Sequence, residues 1–65
     1  MNYIIHHEVG IPKMAVPVYR DLLHPQLVEE VIKSGCDEYK IWMYGENIYS
    51  YNKFNQGYTR FSIDY

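Results

Sequence analysis

Pro25-Gln26-Leu27-Val28-Glu29-Glu30-Val31-Ile32-Lys33-Ser34-Gly35 is the stretch that decides how the rest of the chain is read. Leu27, Val28, Val31 and Ile32 recur at helical spacing and make one apolar stripe. Glu29 and Lys33 stand four apart in the favourable order on the wet side. Gly35 supplies a left-handed C-terminal cap. The spacing therefore predicts a helix over Pro25–Ser34. Upstream, Pro17 can open a helix at its first position, where a missing N–H costs nothing. Val18, Leu22 and the pair Leu23/Leu27 continue at helical spacing, and Pro25 forces a kink or short break near His24.

Outside this helix the periodicity changes from 3.6 to 2. Tyr3–Val9 reads as a strand stopped by Gly10 and Pro12. Glu38–Tyr44 reads as a second strand, with Tyr39, Ile41 and Met43 on one face and Lys40, Trp42 and Tyr44 on the other. Gly45-Glu46-Asn47 is a tight turn, and Ile48–Phe54 returns as the hairpin partner. There Tyr49 and Tyr51 share one face, Ile48 and Ser50 the other. Asn55-Gln56-Gly57 is a further turn. Tyr58–Tyr65 has room for one more strand, with Thr59, Phe61, Ile63 and Tyr65 on one face. The expected order is β-α-β-β, with or without that last strand, in an α+β sheet with its helix on one face.

Composition narrows the class. A chain of 65 residues is one domain, residues 1–65, and its 48% apolar content is too high for a disordered segment. No apolar run approaches the roughly 20 residues a bilayer helix needs, and no basic-then-apolar leader opens the chain, so neither a membrane span nor a signal peptide is expected. A single cysteine, Cys36, leaves no internal disulfide framework and fits a reducing cytoplasm. The net charge of −2 gives no footprint for nucleic acid. His6 and His7 alternate across a strand, so they do not share one ion. No complete zinc spacing exists, and no metal or cofactor is expected.

Small size also favours association. A single core this short supplies about 3–5 kcal/mol, and an oligomer buries more apolar surface. Both faces of the Glu38–Phe54 hairpin carry large side chains. A homodimer buried through Trp42, Tyr44, Tyr49 and Tyr51 accounts for the face away from the helix.

Tyr19-Arg20-Asp21-Leu22-Leu23-His24-Pro25-Gln26-Leu27, Ile32-Lys33-Ser34-Gly35, Tyr39-Lys40-Ile41-Trp42-Met43-Tyr44-Gly45 and Ile48-Tyr49-Ser50-Tyr51 follow one another in an order that resembles the L-rhamnose mutarotase family. The likeness covers about half of the chain, from Tyr19 to Tyr51, and it rests on order and spacing together. It implies a ferredoxin-like protomer of a dimeric α+β barrel that interconverts the anomers of L-rhamnose or a similar deoxy-sugar. It also implies His24 as the acid/base, with Tyr19 and Tyr39 positioning the sugar, Tyr39 from the helix-facing side of its strand. Ring opening takes a proton from the anomeric hydroxyl and delivers one to the ring oxygen, and an imidazole suits both transfers. The chain departs from the family in three ways. Tyrosine and histidine stand five apart instead of four, and in an ungapped match counted back from Gly35 His24-Pro25 falls on the family's Trp-Pro and the catalytic histidine on Arg20. The family is longer, and its second helix, last strand and paired tryptophans have no counterpart after Phe54.

Plainer readings stand beside these. His24 before Pro25 is also what a helix entry looks like. Tyr39 is equally an aromatic packing on Leu27 and Val31, and Tyr19 a partly exposed helix tyrosine. Arg20 beside Asp21 reads as a solvated pair of little energetic weight. Cys36 has no paired base, and there is no Gly-rich phosphate loop or Ser-His-Asp pattern. Two further classes remain open: a non-catalytic dimeric βαββ interaction module, and a small dimeric-barrel enzyme acting on another ligand.

Overall fold

The computed structural model describes residues 2–64. Its architecture is α+β: a five-stranded sheet, antiparallel throughout, with one α-helix on one face. The strands are β1 (Asn2–Glu8), β2 (Val16–Val18), β3 (Cys36–Tyr44), β4 (Asn47–Asn52) and β5 (Gly57–Asp64), in spatial order β1-β5-β4-β3-β2. A single 3-10 turn, Arg20–Leu22, and the helix α1, Pro25–Lys33, lie between β2 and β3.

The helix forms as its local signals require. Pro25 occupies the first turn, and His24 is the N-cap, its Nδ1 accepting the Gln26 N–H at 3.2 Å. Lys33 sits in the last turn, where a cation opposes the helix dipole. Ser34 closes the helix, and Gly35 adopts φ +80°, a conformation that penalises any residue with a Cβ. The apolar stripe is narrower than the spacing predicts. Leu27 and Val31 are buried and Val28 is half-buried, whereas Ile32 is exposed. Burying Leu27 and Val31 stabilises the helix on the sheet by about 1.5–3 kcal/mol each.

Those two residues meet Ile41, Ile48 and Phe61, with Tyr3, Val18, Leu23 and Cys36 packed around them. The register brings Ile48 opposite Phe61, so the core runs across the sheet from β3 to β5; of β1, Tyr3 packs against its margin while Ile5, opposite Phe61, stays exposed. The β3–β4 hairpin turns over Gly45-Glu46, with Tyr44 opposite Asn47. Gly45 has φ +59°, the sign a type II′ turn requires at its first central position. Asn47 therefore belongs to β4.

Two expectations are corrected here. Pro17 does not open a helix. It lies in the middle of β2, opposite Trp42, on an outer strand where a residue without an N–H is tolerated. Val18 is consequently a strand residue, and Leu22, in the 3-10 turn, is exposed. The order is β-β-α-β-β-β, with two strands before the helix and a full strand, β5, at the end. Tyr65, assigned to that last strand from the sequence, lies outside the described residues.

β1 and β2 occupy opposite edges of the sheet, four strand spacings or at most about 19 Å apart. Residues 9–15 make this connection, and Ile11, Pro12 and Ala15 are half-buried along it.

Candidate functional site: a tyrosine-lined cleft beside the β3 bulge

β2 pairs with only Ile41, Trp42 and Met43 of β3, so the first half of β3 has no outer neighbour. That half is also irregular against β4. Cys36 faces Asn52 and Ile41 faces Ser50, and the register shifts between them. The extra residues form a bulge at 37–40 whose polar groups are satisfied locally. The Tyr39 N–H donates to Asp37 Oδ1 at 2.9 Å, an Asx turn. The buried Ser50 hydroxyl donates to the Asp37 carbonyl at 2.8 Å and lies 3.2 Å from the Lys40 carbonyl.

A bulge re-aims side chains, and here it takes Tyr39 out of the core position that alternation with Ile41 predicts. Ile41 is 2% exposed in the core while Tyr39 is 74% exposed. Tyr39 therefore does not pack in the core on Leu27 and Val31; it stands out at the bulge, beside the 3-10 turn that leads into α1.

Its ring lies instead beneath Arg20, whose Cζ stands 5.0 Å from the ring centroid. Arg20 Nη1 is 2.6 Å from Glu38 Oε1, and its Nε is 3.8 Å from Asp21 Oδ1. The partner that fixes Arg20 is thus Glu38, which is partly buried, rather than the adjacent Asp21, which is exposed and contributes little.

Tyr19 completes the arrangement from the end of β2, its backbone still extended at φ −84° and ψ 139° as the chain turns into the 3-10 segment. A cleft of about 350 Å³ is walled by Val18, Tyr19, Arg20, Asp21, Glu38 and Tyr39. A second of about 280 Å³ shares Val18, Tyr19 and Tyr39 and continues along Pro17 and Lys40 to Trp42. The two together offer phenol hydroxyls, guanidinium donors and carboxylate acceptors beside apolar ring faces. Such a set suits a small polyhydroxylated molecule.

The structure thus brings Tyr19 and Tyr39 together and leaves His24 out. His24 is exposed, with Nδ1 occupied by the Gln26 N–H. It lines neither cleft, nor the depression of about 370 Å³ between Arg20, Leu23, Pro25 and Glu29. His6 and His7 lie on β1 at the far edge of the sheet. Among the described residues, no three His, Cys, Asp or Glu side chains gather as metal ligands would. Cys36 is half-buried, and burial pushes its thiol pKa up, against the opposing hydrogen bonds of Thr59, Ser50 and Asn52. That makes it a poor nucleophile.

Glu38 is the site residue that sequence reasoning missed, and Arg20, read there as the solvated partner of Asp21, is paired with Glu38 instead. Their pairing spans a strand, a turn and a helix, and only the Asp37-x-Tyr39 turn signal marks the place locally.

The opposite face of the sheet is aromatic. Trp42 and Tyr58 meet edge to face at 5.6 Å, Tyr51 and Tyr58 at 5.7 Å, and Lys40 Nζ stands 5.4 Å from the Tyr51 centroid. Tyr49 is buried, Trp42 and Tyr51 are half-buried, and Tyr44 is exposed. Arg60 Nε lies 3.3 Å from Glu8 Oε1, an ionic contact without hydrogen-bond geometry, since that Nε has no hydrogen-bond partner. No helix among the described residues is long and apolar enough to cross a membrane. No protein-family model, curated protein or solved structure matches the chain.

Proposed function

We propose that the chain is a mutarotase-like module that holds a small sugar of the L-rhamnose class in the Tyr19–Tyr39 cleft without interconverting its anomers. The observation that carries this reading is the convergence of Tyr19 and Tyr39 around the Arg20–Glu38 pair, while His24 caps α1 outside the cleft. Bound there, a sugar would lay its C–H face on a tyrosine ring and exchange hydrogen bonds with the phenols and the Glu38 carboxylate. Anomer exchange needs a group that can both take and give a proton. The guanidinium cannot act as a base, Glu38 is engaged by Arg20, and the imidazole is elsewhere.

On this reading the chain is a ferredoxin-like protomer of a dimeric α+β barrel. Its support is the run of one helix into a hairpin, with the helix on one face and aromatic side chains on the other. It departs from that pattern at β4, whose neighbours are β3 and β5 and not the first strand.

The test is an NMR titration with L-rhamnose. We expect saturable shifts of the Tyr19 and Tyr39 ring signals, lost in Tyr39→Ala, and an anomer exchange rate by saturation transfer equal to that of buffer. Acid–base catalysis is worth about 10²–10⁴-fold, so acceleration of that order, abolished by His24→Ala, would overturn the non-catalytic part. Unshifted rings at high sugar would remove the sugar itself.

A second reading is a dimeric interaction module using the aromatic face, with Trp42, Tyr44 and Tyr51 against a second copy; Tyr49, expected at the same interface, is already buried within the protomer. It is favoured by the packing of α1 on one side of β3 while Tyr44 stays exposed on the other. Tyr44→Lys should then weaken association in sedimentation equilibrium. A monomer at every concentration would exclude it.

A further inference from the structure

The two edges of the sheet are built differently. The outer edge at β2 is three residues long and has Pro17 at its centre, which removes a donor and discourages strand addition. The edge at β1 runs seven residues, Asn2–Glu8, in unbroken register with β5. It has no proline, no lysine and no bulge. Its central residues, Ile4 and Ile5, are 41% and 44% exposed. An edge of this kind leaves alternate backbone N–H and C=O groups unpaired along its length.

We propose that β1 is a self-association edge. A second copy adds its own β1 antiparallel, about a two-fold axis through Ile5, and the two sheets become one. The register follows from the pleat. Faces match across the junction only if paired residues lie on the same side of the strand. A two-fold through Ile4 or His6 leaves two residues unpaired at one end of each strand, and the His6 axis sets the two imidazoles against each other. The axis at Ile5 uses all seven residues. It places Tyr3 opposite His7, Ile4 opposite His6 and Asn2 opposite Glu8, so no like charges meet.

It also joins apolar surface. Ile5 lies beside Phe61 of its own sheet, so the junction reads Phe61, Ile5, then the second copy's Ile5 and Phe61. This row is on the helix side, where α1 packs against β3 and Ile5 stays 44% exposed. The proposal is independent of the sugar reading and of the aromatic face, whose Trp42 and Tyr44 lie on β3.

Hydrogen exchange and sedimentation of the full chain test it. The β1 amides that point away from β5 should be protected in proportion to protein concentration, and the sedimenting mass should double over the same range. Ile5→Lys sets an ammonium against its twin, and Ile4→Lys sets one opposite the second copy's His6, diagonal to its own twin, on the other face of the same edge. Each side chain is already near half-exposed, so the fold persists, checked by unchanged β3 and β4 amide shifts. Both variants should halve the associated mass and return those amides to free exchange. Tyr44→Lys should leave β1 protection in place. Free exchange of the outward β1 amides at every concentration would overturn the proposal. So would protection that survives Ile5→Lys, or protection that Tyr44→Lys removes, since another strand or another surface would then be responsible.

Discussion

Ser50→Ala isolates the contact that shapes the cleft. Ser50 is completely buried on β4, and its hydroxyl faces two carbonyls of the β3 bulge, Asp37 at 2.8 Å and Lys40 at 3.2 Å. A hydroxyl has one proton, so the shorter contact is the principal bond and the longer a weak share of it. Alanine keeps the backbone and nearly all the volume, leaving the Asp37 carbonyl without its donor. An unsatisfied buried acceptor costs about 1–3 kcal/mol. The Tyr39 N–H keeps its own bond to Asp37 Oδ1, so the bulge loosens and is not undone, which places the cost in the lower half of that range. With a urea slope near 1 kcal/mol per molar for a chain this small, the midpoint should fall by about 1–2 M. Circular dichroism in urea reads the stability, and amide exchange at Tyr39 reads the bulge. An unchanged midpoint together with unchanged exchange at Tyr39 would refute the claim that Ser50 holds Tyr39 in the cleft.

The core and the thiol make separate predictions. Phe61→Ala removes the largest fully buried side chain and should cost about 3–5 kcal/mol; as a core this small supplies about the same, the variant should be mostly unfolded at room temperature by circular dichroism. Phe54→Ala, at an exposed position, should stay within about 0.5 kcal/mol of the parent, and a native Phe61→Ala would contradict the packing. Because burial raises the Cys36 pKa, the folded chain keeps a thiol proton at a pH where the unfolded chain has lost it. Stability contributed by Cys36 is therefore complete below the ordinary thiol range and declines as pH rises through it, from about pH 8 upward. Urea midpoints of the parent minus those of Cys36→Ser across that range should decline, and a difference that grows with pH would contradict the sign.

The helix and the central hairpin were legible because their signals are local. Pro25, the Leu27/Val31 spacing and Gly35 each specify their own part of α1, and Gly45 specifies its turn. Pro17 was not legible. A proline fits the first turn of a helix or the outer strand of a sheet, and three residues of β2 carry no periodicity of their own; β2 exists because β3 offers it an edge. Tyr39 was misplaced for a related reason. Alternation along Tyr39-Lys40-Ile41 assumes an unbroken ladder, and the bulge that breaks it depends on Ser50, which lies across the hairpin. His24 and Tyr19 show the converse limit. Their side-chain types fit acid–base and hydroxyl chemistry, but which of them reaches a common cleft is decided by the 3-10 turn at Arg20–Leu22. That turn rotates His24 into the cap of α1 and leaves Tyr19 beside Tyr39.

The surroundings of the Tyr39 ring test the central claim most directly. A nuclear Overhauser spectrum should connect the Tyr39 ring protons to the Arg20 side chain, whose methylene protons should be shifted upfield by the ring beneath them. Contacts from that ring to the Leu27 and Val31 methyls, with none to Arg20, would return Tyr39 to the core and leave no cleft to bind a ligand.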